Sequence, residues 1–63
     1  MLIYFNDALN DNSVAINPKF VTVVFVAPDG DFQGKTVIST STGNILTNES
    51  LLDVVGKING ALA

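Results

Sequence analysis

Hydrophobic positions are densest at Phe20-Val21-Thr22-Val23-Val24-Phe25-Val26-Ala27, eight residues with a single polar side chain. Strict alternation along a strand places Phe20, Thr22, Val24 and Val26 on one face and Val21, Val23, Phe25 and Ala27 on the other. The β-branched and aromatic content, and the turn signal Pro28-Asp29-Gly30-Asp31 that ends the stretch, predict a strand rather than a helix. Both faces are apolar, so this strand is expected at the centre of the fold, with cover required on both sides.

The same alternation predicts a first strand at Leu2–Asn6, with Met1, Ile3 and Phe5 on one face and Leu2 and Tyr4 on the other. Asp7 to Asn12 is rich in Asn and Asp, which form local side-chain turns and tolerate left-handed backbone. A second short strand, Ser13–Asn17, turns Val14 and Ile16 inward and pairs with the first as a hairpin. Asn17-Pro18 breaks it, because proline has no N–H to give a ladder. The central strand runs from about Lys19 to Ala27. Lys35–Ser41 follows as the most polar strand, expected to meet water on a face or an edge. Thr42-Gly43-Asn44 is a hairpin turn, and Ile45–Thr47 is a short returning strand.

The C-terminal segment changes period. Leu51, Val54, Val55, Ile58 and Leu62 form one apolar helical stripe, with Asn48 expected as N-cap and Glu49 in the first turn. Asp53 and Lys57 are spaced as an outer ion pair, and Gly60 marks the expected helix end. The predicted fold is therefore one α+β domain, residues 1–63. It is a small antiparallel sheet of about five short strands built from hairpins, with one C-terminal helix packed on one face.

Nothing in this pattern covers the second face of the central strand. That face, or an open sheet edge, is the expected subunit interface, with Val21, Val23 and Phe25 as candidates on one side and Phe20 and Val24 on the other. A symmetric dimer is the favoured form.

Size and composition press in the same direction. A chain of 63 residues buries only about 60% of its unfolded surface and needs a staple. The absence of Cys and His excludes disulfides, thiolate metal sites and imidazole ligation, leaving oligomerisation. The chain is 48% hydrophobic and 14% charged, with a mean hydropathy of +0.43, apolar values for so small a domain. Its net charge of −3 sets six acids against Lys19, Lys35 and Lys57. No basic patch for a phosphate backbone or an anionic membrane can be assembled from these. No apolar run approaches the length of a bilayer span. Met1 to Phe5 lacks a basic flank, so it reads as a strand rather than a signal peptide, and the cytoplasm is the expected compartment.

Candidate chemistry adds little. Gly30-Asp31-Phe32-Gln33-Gly34-Lys35-Thr36 superficially matches a phosphate-binding loop. It has three residues between its glycines instead of four, and it runs into a strand instead of a helix. Asp29 and Asp31, with Asp7 and Asp11, lack the spacing of a calcium loop and suit turns instead. No Cys-His or Ser-His arrangement is available, and the acids are not spaced as a catalytic pair, so no enzyme and no cofactor are expected. Tyr4, Phe5, Phe20 and Phe25 lack the basic neighbours of a base-stacking platform and read as core or interface. Asn48-Glu49-Ser50 fits a glycosylation sequon but is read as a helix cap.

Ile16-Asn17-Pro18, Thr36-Val37-Ile38, Thr42-Gly43, Asn48-Glu49-Ser50-Leu51, Val54-Val55 and Lys57-Ile58 resemble the pattern of the FlbD/SwrD family of small flagellum-associated proteins. The resemblance covers roughly residues 14 to 59. It implies a strand break at the Asn-Pro pair, a Thr-Gly hairpin and a Glu-Ser-led helix in a small adaptor with no known catalytic residues. The chain departs from that family in its poverty of Lys and Glu and in its longer Asp29–Gly34 loop. A further similarity to the last strands of LytTR-type DNA-binding domains does not extend to their basic residues. The composition also looks like that of small orphan bacteriophage proteins, which would place the chain in a host cytoplasm or a virion. The expected function is a small, non-enzymatic, oligomeric protein-interaction module. A virion structural or decoration protein is the first alternative, and a nucleic-acid-associated regulator, opposed by the net charge, is the second.

Overall fold

Alternation decides the first hairpin. In the computed structural model, which describes residues 1–63, strands β1 (Ile3–Asn6) and β2 (Ser13–Ile16) pair antiparallel with Ile3 opposite Ile16 and Phe5 opposite Val14. Those four side chains point into the molecule, while Tyr4 stands exposed on the other face. The connection is the expected Asn/Asp turn. Asp7 Oδ1 accepts from Leu9 N at 2.8 Å, Asn10 Oδ1 accepts from Asn12 N at 3.1 Å, and Asp11 takes a left-handed φ of 61°.

Asn17-Pro18 does break the strand, and it does so by starting a 3-10 turn at Pro18–Phe20. Asn17 Oδ1 caps that turn by accepting from Lys19 N at 3.0 Å. The next strand therefore begins at Val21. Strands β3 (Val21–Val26), β4 (Thr36–Thr40) and β5 (Gly43–Thr47) form a three-stranded antiparallel sheet in the order β3-β4-β5. Two expectations are corrected here. The most apolar strand is not central but lies at an edge. The most polar strand, β4, is in the middle, with Thr36, Val37 and Ile38 all buried. Burial of Thr36 is tolerated because its hydroxyl donates to Glu49 O at 2.7 Å, so no polar atom is stranded.

A β-bulge corrects the assignment of faces in β3. Val21 opposes Thr40 and Val23 opposes Ser39, so Thr22 is the extra residue, and its hydroxyl donates to Ser39 O at 3.1 Å. The inserted residue shifts the alternation by one. Val21 consequently shares the inner face with Val24, instead of sharing the other face with Val23 and Phe25.

The five strands make two sheets rather than one. They meet at a single bridge between Asp7 and Thr47, beside which Ala8 N donates to Leu46 O at 2.9 Å. Helix α1 (Leu51–Leu62) lies against β3, the 3-10 turn and β1. Its N-cap is Ser50, whose Oγ accepts from Asp53 N at 3.1 Å. The expected cap, Asn48, is occupied instead by Lys35 Nζ at 2.6 Å. Gly60 does not end the helix, which continues to Leu62. Val54 and Ile58 are its buried residues and join Phe5, Ile16 and Ile38 in the core, with Ile3, Val14, Val21, Val24 and Ile45 packed around them. Lys57 pairs with Glu49 Oε1 at 2.7 Å, in place of the expected outer pair with Asp53.

Candidate interface

The helix and the β1–β2 hairpin both lie on the inner face of the three-stranded sheet, which carries Val21, Val24, Ile38 and Ile45. The opposite face receives no element of the chain. Across it run the register rows Phe25–Val37–Leu46 and Val23–Ser39–Asn44. Val23 is 50% exposed and Phe25 is 41% exposed, while Val37, flanked by strands on both sides, is buried. Phe32, in the loop between β3 and β4, adds another exposed ring.

Of the five residues singled out from the sequence, two lie on this outer face: Val23 and Phe25. Val21 and Val24 are half-buried against the core, placed there by the bulge at Thr22. Phe20 is exposed in the 3-10 turn and borders a cleft of about 310 Å³ between β2 and the β4–β5 turn, lined also by Val14, Ile16, Thr40 and Ile45. The strand thus divides its candidates among three environments.

The edges of the sheet differ. Beyond β5 the chain itself supplies a hydrogen bond, from Ala8 N to Leu46 O beside the Asp7–Thr47 bridge. Beyond β3 there is no strand; at its start the Val21 N–H is taken up by Pro18 O of the 3-10 turn, and from Val23 to Val26 the edge has no partner in the chain. Ala27 N donates to Lys35 O at 2.9 Å. Antiparallel alternation then directs Phe25 and Val23 toward β4 and leaves the N–H and C=O groups of Val24 and Val26 pointing outward.

Further exposed apolar residues, not among the interface candidates read from the sequence, lie on β3 and on α1. Val26 shares the inner face with Val24 but is 42% exposed. On α1, Lys57 occupies the flank that reaches β1, where its Nζ donates to Tyr4 O at 3.4 Å. At 100° per residue, Val55 and Leu62 occupy the other flank, away from β1, and Leu52 lies farther round, on the outward side. Leu52 is 84% and Leu62 49% exposed, and Val55 lies at the boundary of exposure. Helical period alone places Val55 and Leu62 in one stripe with Leu51, Val54 and Ile58, and only the helix orientation separates the exposed pair from the buried residues.

The loop between β3 and β4 is built by its own backbone. Gly34 N donates to Ala27 O at 3.1 Å and Gln33 N to Gly30 O at 3.2 Å, with both glycines at φ +86°. It delivers the chain into β4, so no helix N-terminus faces Lys35. Asp29 and Asp31 are exposed on this loop, and no group of three acidic side chains converges anywhere in the fold. Lys35 and Lys57 are engaged with Asn48 and Glu49, so with Lys19 they form no shared cationic surface. No helix is long and apolar enough to cross a membrane. No family model, curated protein or solved structure matches the chain.

Proposed function

We propose that this protein is a small, non-enzymatic interaction module that works as an oligomer, a dimer in its simplest form, and presents an apolar surface built on β3. The observation that carries this reading is the pair Val23 and Phe25, half-exposed on the sheet face opposite the one that the helix and the hairpin cover. Apolar side chains gathered on one face of so small a domain are favourably removed from water by a partner. The core points the same way, since its buried apolar cluster contains only Phe5, Ile16, Ile38, Val54 and Ile58. A core of that size leaves stability to be supplemented by association. The adaptor role implied by the flagellar-family resemblance belongs to the same functional class.

Light scattering coupled to size exclusion, at micromolar concentration, tests the reading directly. An oligomer is expected. A stable monomer that also remains folded on dilution overturns it. A nucleic-acid role has weaker support, because the dispersed lysines and net charge of −3 offer no electrostatic footprint. Salt-sensitive micromolar binding to DNA or RNA in a mobility-shift experiment would reverse that preference.

A further inference from the structure

The open edge of β3 specifies how two copies would meet. This step rests on the oligomeric reading above and deepens it. We propose that the chain dimerises edge to edge, β3 against β3 of a second copy, antiparallel and about a two-fold axis at Phe25. The result is one continuous sheet of six strands with the exposed flanks of the two α1 helices brought together above it.

Four observations select this occupant. Val24 and Val26 turn their backbone groups outward, and an antiparallel copy placed with Phe25 at the axis sets Val24 opposite the second copy's Val26. Such a pair exchanges both of its hydrogen bonds. The pairing is also bounded at each end, since Pro28 has no N–H to offer and the bulge at Thr22 bends the strand before Val23. The edge from Val21 to Val26 carries no charged residue, the usual device that blocks association of sheet edges. Finally, Phe25 and Val26 on the edge strand, with Val55 and Leu62 on the helix flank away from β1, are partly exposed apolar side chains that a second copy at this edge would cover.

The two-fold places Phe25 opposite its own copy in a non-hydrogen-bonded pair, with Cα atoms about 4.5 Å apart. That lies within the roughly 4.4–6.8 Å spanned by disulfides. The chain has no cysteine, so a single introduced thiol gives an unambiguous readout. Phe25→Cys is expected to form a disulfide-linked dimer nearly completely under mild oxidation at low concentration. Asn44→Cys, on the same outer face but on β5, is expected to remain mostly reduced.

Two further variants separate the edge from the face. Val26→Pro removes an outward donor without touching the β3–β4 ladder, and it is expected to give a folded monomer by circular dichroism and light scattering. Ser39→Glu places a charge in the middle of the outer face and is expected to leave the dimer intact. Dimers that survive Val26→Pro but dissociate with Ser39→Glu would overturn edge pairing and leave the oligomeric reading standing, with the two copies meeting face to face. A wild-type monomer would overturn both. A wild-type dimer in which Phe25→Cys does not cross-link would overturn the two-fold at Phe25.

Discussion

Thr36 and Thr47 stand directly opposite one another on β4 and β5, and between them they hold both backbone ends of Glu49. Thr36 Oγ1 donates to Glu49 O at 2.7 Å, and Glu49 N donates to Thr47 Oγ1 at 3.2 Å. Both threonines are buried, at 1% and 0% exposure. They fix where the chain leaves the sheet, one residue before the Ser50 cap, and so aim α1 across the inner face. Thr36→Val keeps the shape and removes the donor to a part-buried carbonyl. It is expected to lower the unfolding free energy by about 1–3 kcal/mol in urea denaturation. A loss under about 0.5 kcal/mol would mean that water replaces the hydroxyl.

Capping separates two neighbouring residues. Ser50 caps α1, whereas Asn48 holds Lys35 at the surface. Ser50→Ala is expected to cost about 1 kcal/mol, and Asn48→Ala no more than a few tenths. Parallel thermal and urea melts distinguish them. The reverse order would put the helix start two residues earlier.

Lys57 ties the helix to the hairpin by two contacts and to the segment before the helix by a third. Its Nζ is 2.7 Å from Glu49 Oε1, 3.4 Å from Tyr4 O and 5.0 Å from the centroid of the Phe5 ring. The ion pair is solvent-accessible, so screening limits its worth. Lys57→Met retains the aliphatic cover over Phe5 and is expected to lose less than about 1 kcal/mol, with the difference shrinking at high salt. A salt-independent loss of several kcal/mol would assign Lys57 a packing role instead.

Deleting Thr22 offers a sharper check on the bulge. Without it, Val21 would directly precede Val23 in regular alternation while still opposing Thr40, and every other β3–β4 pair would keep its register. The deletion is expected to fold with stability within about 1 kcal/mol of the wild type, because only the extra residue and its bond to Ser39 O are lost. A cooperative urea transition with an unchanged m-value is the readout. Loss of cooperative folding would show that the bulge is required for the core.

The hairpins, the Asn/Asp turn, the break at Asn17-Pro18 and the C-terminal helix were all legible in the sequence, because alternation, turn chemistry and helical period agree locally. Three features were not. The centrality of β4 depends on Thr36 and Thr47 satisfying their hydroxyls on a residue distant in sequence from β4. The bulge at Thr22 replaces strict alternation with a contact to Ser39, and an apolar strand with valine at nearly every position gives no hint of the slip. The choice of Ser50 over Asn48 as cap depends on Lys35 claiming the asparagine. Of the candidate interface, Val23 and Phe25 were found from periodicity. Val26, Val55 and Leu62 needed the strand order and the helix orientation to stand out.

The Asp7–Asn12 turn does more than connect two strands. Beside the Asp7–Thr47 bridge, Ala8 N donates to Leu46 O, so the turn engages the C-terminal end of the β5 edge, while β3 has no such cover. A sheet with two open sides is a monomer for fibril growth, since each added copy exposes a fresh template. A sheet with one open side is a chain terminator: the first pairing consumes it. In the proposed dimer, pairing would use up both β3 edges, and the two outer edges of the six-stranded sheet would be β5, each engaged at its end by this turn.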